Sequence, residues 1–339
     1  MEHPIRVKDI YKALDCIVKG RLCGQRNGVS EINNPYVVMK SSNIPGKAIF
    51  EKPGLVYGDL EAEVKKIAVL MTLTEQAIEL AGATSVDVLV AHHPIADAAS
   101  SGGVLLKTYL DLYNISVFEL HEAFHGLHPG MAHIHGHDPY RTETAYNGEM
   151  GKIFSIGETK KGIANLGDIL DRVQAFVGWD EEKEWLDREK KKKKTVNIHE
   201  TNVELKGSIL VGNRDSPAKN ILHIFPHTGF SKNDLKQVME ENPEIDTVLA
   251  SISRVRKDHP LTETCRDYGL NFILGTSHAV EILENGIPLA NSLKKRLPSI
   301  DVVVFREKMV SYSLDSIGTS KARHYGNEIS ADYLLDGEN

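Results

Sequence analysis

The stretch KKIAVLMTLTEQAIELAGATSVDVLVAHHP, Lys65–Pro94, decides the fold class. KKIAVLM is a short apolar run that reads as a buried strand, and VDVLVA reads as a second one. TLTEQAIELAGAT, between them, spaces its apolar residues as a helix does and ends near Gly82. Strand, helix, strand in this order is a βαβ unit, which demands parallel strands covered by helices. Working outward, VLLKTYLDLYN (104–114) has helical spacing and ISVFEL (115–120) reads as a third strand. The predicted class is therefore α/β with mainly parallel sheets.

A second run of the same kind begins at Asn220. NILHIF, TVLASIS, LNFIL and DVVVF read as strands, and Ser231 is placed to cap the helix SKNDLKQVMEENP. Residues 126–219 look less regular, apart from a predicted helix GDILDRVQAFVG. The expected organisation is two α/β lobes, 1–150 and 151–339, with a charged insertion near 178–207. The insertion ends in Lys190–Lys194, but Asp180, Glu181, Glu182, Glu184, Asp187 and Glu189 stand beside the lysines. Mixed charge of this kind reads as a solvated helix end or loop.

Composition narrows the function. The 339 residues carry 40 Lys+Arg against 47 Asp+Glu, a net charge of -7, which gives no general attraction for nucleic-acid phosphates. The first twenty residues have scattered charges and no apolar core, and no run approaches a membrane span. Cys16, Cys23 and Cys265 match neither a disulfide framework nor a metal knuckle. A cytoplasmic protein acting on a small molecule, with no nucleic-acid or membrane partner, is the expectation.

Histidine is the distinctive residue: of 15, eight fall between His92 and His137. His92-His93-Pro94 follows a strand directly, and ligands gather at the carboxyl ends of strands in open α/β sheets. His121-Glu122-Ala123-Phe124-His125 has the H-E-x-x-H form, in which two imidazoles one turn apart share a face. Gly126, Pro129 and Gly130 follow at once, so the long helix of a zinc protease is excluded while the metal inference survives. His278 and Glu281, spaced i, i+3 after the strand LNFIL, resemble paired bundle ligands. Together the three groups supply five histidines and a carboxylate, enough for two ions. His128, His133, His135 and His137 read as an exposed polar loop, with His128 and His227 as candidates for the outer shell or for substrate contact.

These segments resemble the Nif-three-like family (NGG-one-interacting factor three), also classed as type 2 GTP cyclohydrolase I. The pieces that carry the resemblance are GLVYGDLEAEVKKIAVLMTLTEQAIELAGATSVDVLVAHHPI, NISVFELHEAFHG, GKIFSIGETKKGIANLGDILDRVQAFVG and LNFILGTSHAVEILENG. The resemblance implies two interlocked lobes with a dinuclear metal site between them and a homohexameric ring. It also implies His92, His93, His121, His125, His278 and Glu281 as ligands, with Ser277 and Glu281 as an alternative register for the last pair. His125 stands where the family has Asp, and one imidazole more with one carboxylate less shifts preference from hard ions toward Zn, Fe, Co or Ni, with Mn also open. The expected activity is a metal-dependent hydrolase opening a cyclic C–N bond of a nucleotide or other nitrogen heterocycle, with Glu122 as general base. The rival expectation is a non-catalytic metal-binding, metal-delivery or regulatory scaffold protein.

Overall fold

The computed structural model describes residues 3–24, 34–41, 48–95, 100–101, 104–149 and 151–335; the expected lobe limits at 1, 150 and 339 lie outside them. Two larger sheets organise the chain. The first is built from β1 (Gly54–Tyr57), β2 (Lys66–Leu70), β3 (Val88–Ala91) and β4 (Ser116–Glu119). The second contains β5 (His137–Glu143), β6 (Phe154–Thr159), β7 (Ser208–Val211), β8 (Asn220–Ile224), β9 (Thr247–Ile252) and β10 (Asn271–Ser277). A last strand, β11 (Asp301–Val304), returns to the first sheet, whose order is β11-β2-β3-β4-β1.

The βαβ reading of Lys65–Pro94 holds. β2 and β3 pair in parallel, and the helix Glu75–Ala83 between them is capped by the Thr74 side chain. Apolar residues alternate between two cores, as strands covered on both faces require. Ile67, Val69, Val88 and Val90 face one core, where they meet the helices Val7–Ile17 and Ile287–Arg296. Ala68, Leu70, Leu89 and Ala91 face the other, closed by Glu75–Ala83 and Leu106–Tyr113. The first sheet is parallel except for its edge strand β1.

The second sheet runs β7-β10-β9-β8-β6-β5, parallel at its centre and antiparallel at both sides. Three strands in the stretch read as irregular, β5, β6 and β7, belong to it. Ser231 caps the helix Lys232–Glu241 through a reciprocal capping box with Asp234. DVVVF departs from the sequence reading. As β11 it pairs with β2 rather than joining the second run, and the helix Ile287–Arg296 just before it covers the first sheet. The two lobes are therefore interlocked through the C-terminal half of the chain. The lysine run ends the exposed helix Trp179–Lys193, whose first turn holds Asp180, Glu181 and Glu182 and whose last turn holds Lys190–Lys193, each set complementing the helix dipole. Among the described residues no helix is long and apolar enough to cross a membrane.

Candidate metal centre

The carboxyl ends of the parallel strands in both sheets open onto one cavity of about 740 Å³. From the first sheet, β3 delivers His92 and His93, and β4 delivers His121 through the single turn His121–Phe124. The second sheet delivers His278 beyond β10, Phe225 and His227 beyond β8, and Ile252 at the end of β9. Ile252 has φ of +65°, a conformation that a β-branched side chain adopts only under strain, at a break in the β9–β10 register. Strain of this kind concentrates at functional sites.

Glu281 is the centre of the cluster. Its Oε2 lies 3.1 Å from His93 Nε2 and 2.8 Å from His278 Nε2, and its Oε1 lies 3.3 Å from His92 Nε2. The Nε2 atoms of His93 and His278 are themselves 3.2 Å apart. On the other side of His92, its ring centroid is 5.4 Å from that of His121, which is 4.4 Å from that of His125. Two sets of potential ligand atoms, each within 4.8 Å of one another, share His92: one adds His93 and Glu281, the other His121 and His125. A third set joins Glu51, His121 and Glu122. All six residues expected to bind metal are thus brought together. Of the two registers expected for the last pair, His278 touches Glu281 through its imidazole, while Ser277 lines a different cavity.

The far nitrogens explain how these rings are aimed. His93 Nδ1 meets Thr72 Oγ1 at 2.9 Å, His121 Nδ1 meets Glu51 Oε2 at 2.8 Å, and His125 Nδ1 meets Glu122 Oε2 at 3.2 Å. An imidazole whose Nδ1 is held in this way presents its Nε2 inward, the arrangement that fixes metal-ligating histidines. His92 is buried, and its Nδ1 has no hydrogen-bond partner among the described residues. The electrostatics agree with a cluster short of positive charge. Burial pushes the Glu281 carboxyl up, but hydrogen bonds from His278, His92 and His93 outweigh it and hold the group well below the usual range. Burial lowers His92 to about 4, whereas the contact with Glu281 raises His278.

Glu122 is the residue expected to act as general base. It is buried, does not line the cavity, and lies behind the histidines, 3.2 Å from His125 Nδ1 and 3.7 Å from His121 Nδ1. Sequence reading missed Glu51, Thr72 and Asn285. Asn285 donates to Glu281 Oε1 at 3.1 Å from one turn further along, a spacing the sequence does display. Glu51 lies in no motif. Asn285 falls within a short π-helical stretch, Ile282–Gly286, a distortion often found at functional sites.

The other histidines divide. His128 and His227 line the cavity, with His128 edge-on to Phe124 at 5.1 Å and His227 Nδ1 3.1 Å from Ser253 Oγ. His135 and His137 are not in an exposed loop: both are completely buried, together with His223. Alternation along β5 turns His137 inward, and the helix Gly130–Ile134 carries His135 against β10. His135 Nδ1 donates to Met131 O at 2.6 Å and its Nε2 accepts from Thr276 N at 3.0 Å. That approach requires Gly275, because a Cβ there would stand 2.1 Å from His135 Nε2. His137 Nε2 and His223 Nδ1 meet at 3.0 Å, and His223 Nε2 meets Ser251 Oγ at 2.6 Å.

Residues 37–102 match the Duf34/NIF3 family (NGG1p interacting factor 3). The whole architecture is also that of solved relatives of that family. A Bacillus cereus protein related to NIF3 superposes with a TM-score of 0.53 at 11% identity, over 90% of this chain and 98% of its own. The fold is NIF3-like. It is shared by reduced HcgD from Methanocaldococcus jannaschii, with a TM-score of 0.57 at 14% identity over 90% of this chain and 99% of that one. The protein TTHA1606 from Thermus thermophilus follows at 0.53 and 14%, over 89% and 98%. No curated protein matches. The NIF3-like fold and a histidine–glutamate group able to hold metal are established together by the matched segment and the geometry.

Proposed function

We propose that this NIF3-like chain is a dinuclear-metal-dependent hydrolase acting on a cyclic C–N bond of a small nitrogen heterocycle. The observation that carries the reading is the set of imidazoles held by their Nδ1 atoms, with Nε2 atoms and the Glu281 carboxylate converging on the wall of a cavity of about 740 Å³. A volume of that size suits a small-molecule site. His92, His93, His121, His125, His278 and Glu281 would hold the two ions. Divalent ions supply Lewis-acid polarisation and a water acidic enough to react near neutral pH.

The chain's own groups supply the rest. Phe124, Met131 and Phe225 give the cavity apolar surface on which a ring can rest. His227 faces the same space; burial, reinforced by His278, lowers its pKa and keeps the imidazole neutral. A neutral imidazole at the cavity wall can take a proton and return it to a leaving nitrogen. Glu122, buried behind His121 and His125, serves as a positioning residue for those imidazoles rather than as the base that contacts substrate. The hexameric ring remains part of the proposal, supported by exposed apolar side chains toward the C-terminus such as Leu314, Tyr325 and Leu334.

Metal content of the purified protein, followed by hydrolysis of a panel of cyclic amides and nucleotides with Zn, Fe, Co, Ni or Mn, tests the reading. Metal-dependent turnover that His227→Gln reduces while metal content is unchanged supports it. Stoichiometric metal with no hydrolysis of any panel member would leave the metal-binding or metal-delivery alternative in its place.

A further inference from the structure

The cavity that receives the histidine cluster has another wall, made by one face of the second sheet. Thr142, Ser155 and His223 stand directly opposite one another on β5, β6 and β8, and all three line the cavity. Directly paired residues of neighbouring strands share a face. The pairing of β5 with β6 slips between Ile156 and Gly157, whose partners are Arg141 and Pro139. A bulge of this kind re-aims side chains. It keeps the inward His137 and Thr142 on one face, although their odd spacing would place them on opposite faces of a regular strand. Phe225, stacked on His223 with ring centroids 4.9 Å apart, gives the same wall a flat apolar surface.

Ser155 supplies the independent observation. It is only 7% exposed, and its hydroxyl has no hydrogen-bond partner among the described residues. Unlike the sealed hydroxyl of Tyr146, its oxygen keeps accessible surface, and the cavity is what it faces. The Thr142 hydroxyl beside it is likewise unpaired among the described residues. A hydroxyl both donates and accepts, so the pair matches ligand hydroxyls, which do the same. Charge at this wall is negative. Glu149, in the loop joining β5 to β6, lines the cavity, and Lys152 Nζ, 3.2 Å from its carboxylate, is shared with Asp234. Among the described residues no lysine or arginine lines the cavity. We propose that the ligand is an uncharged nitrogen heterocycle with a hydroxylated arm, a nucleoside-like molecule without phosphate, whose hydroxyls reach Ser155 and Thr142. The placing of its ring on Phe225, toward the metal ligands, rests on the hydrolase reading; the contacts of its arm do not.

Calorimetric titration of the zinc-loaded protein with adenosine, adenine and adenosine monophosphate tests this. Adenosine should bind about tenfold more tightly than adenine, the size of effect that a few net hydrogen bonds supply. Adenosine monophosphate should bind more weakly than adenosine. Ser155→Ala combined with Thr142→Val should bring adenosine down to the affinity of adenine, with adenine binding and zinc content unchanged. Glu149→Gln should narrow the gap between adenosine and its monophosphate. Three results would overturn the proposal: adenosine binding no more tightly than adenine, an unchanged adenosine affinity in the double variant, or a monophosphate that binds more tightly than adenosine. Any of these alongside metal-dependent hydrolysis removes this inference and keeps the hydrolase. The expected binding pattern without hydrolysis of any compound does the reverse.

Discussion

Two histidine clusters lie close together in this molecule, and they differ in what their nitrogens are given. Around Glu281 in the first, His93, His121 and His125 have Nδ1 held by outer partners, so Nε2 is left for something at the centre. In the second, His135 uses both nitrogens on backbone groups and His223 uses both on His137 and Ser251. The first cluster converges on points suited to cations; the second is a network of buried neutral rings bonded to one another, to backbone and to Ser251, with His137 Nδ1 left unpaired among the described residues. Histidine count does not distinguish them, and burial does so only in part, since His92 is as buried as the second cluster. The direction of the second nitrogen does.

The largest effect that could break this contrast is acid unfolding of the second cluster. Burial lowers His135 to about 4 and His137 to about 3, and pushes His223 well below its ordinary value. A histidine whose pKa is depressed in the folded state takes up its proton more readily when unfolded. Its contribution to stability is therefore complete above about 6.5 and is lost as pH falls toward the folded values. Each such ring costs about 1.4 kcal/mol per pH unit within that window. Urea midpoints of chelated protein should fall steeply from pH 6.5 to pH 4, and His137→Gln should make the decline shallower. An unchanged slope would mean that these rings are not buried neutral.

Metal affinity gives the next contrast. Glu281→Gln removes the one carboxylate that, among the described residues, touches His92, His93 and His278 together, and should weaken metal binding more than 100-fold in chelator competition. His223→Ala should leave metal affinity unchanged within twofold while lowering the thermal midpoint. Glu122→Gln belongs between them. Groups that orient metal-bound histidines typically change affinity about 10–100-fold, so a loss in that range is expected. Unchanged metal affinity with turnover abolished would instead return Glu122 to the role of general base.

What the sequence could tell follows from the range of each interaction. The βαβ unit was legible because alternation and capping are local: Ile67 and Ala68 face opposite cores, and Thr74 caps its own helix. The six candidate ligands were legible because each sits at or just past a strand end, where side chains reach the common cavity. β11 was misplaced because DVVVF carries no mark of which sheet edge it will meet. His135 and His137 were misjudged because Gly and Pro nearby suggest a loop, while their burial depends on pairing with distant β6 and β10. Glu51 joins the cluster from about seventy residues before His121, through a contact that no spacing rule encodes.

The smallest effect sharpens the comparison at the seam between the clusters. Glu284, one turn beyond Glu281, is buried, accepts from Thr276 Oγ1 at 3.3 Å and leaves Oε2 without a partner. Burial raises its carboxyl well above the ordinary range, and the negative Glu281 adds to the shift, which favours the protonated acid. Thr276 also donates its N–H to His135, so one residue joins the second histidine network to Glu284. A raised folded pKa contributes stability that is complete below the unfolded carboxyl value and is lost as pH rises through the folded one. Glu284→Gln has the same shape as the protonated acid and should change stability at pH 6 by less than about 1 kcal/mol, as volume-conserving replacements do. The same variant should lose part of the decline in stability at alkaline pH, because it has no proton to release. Denaturation at pH 6 and pH 9 reads both effects, and an equal alkaline decline in the two proteins would show that Glu284 is already ionised in the folded state.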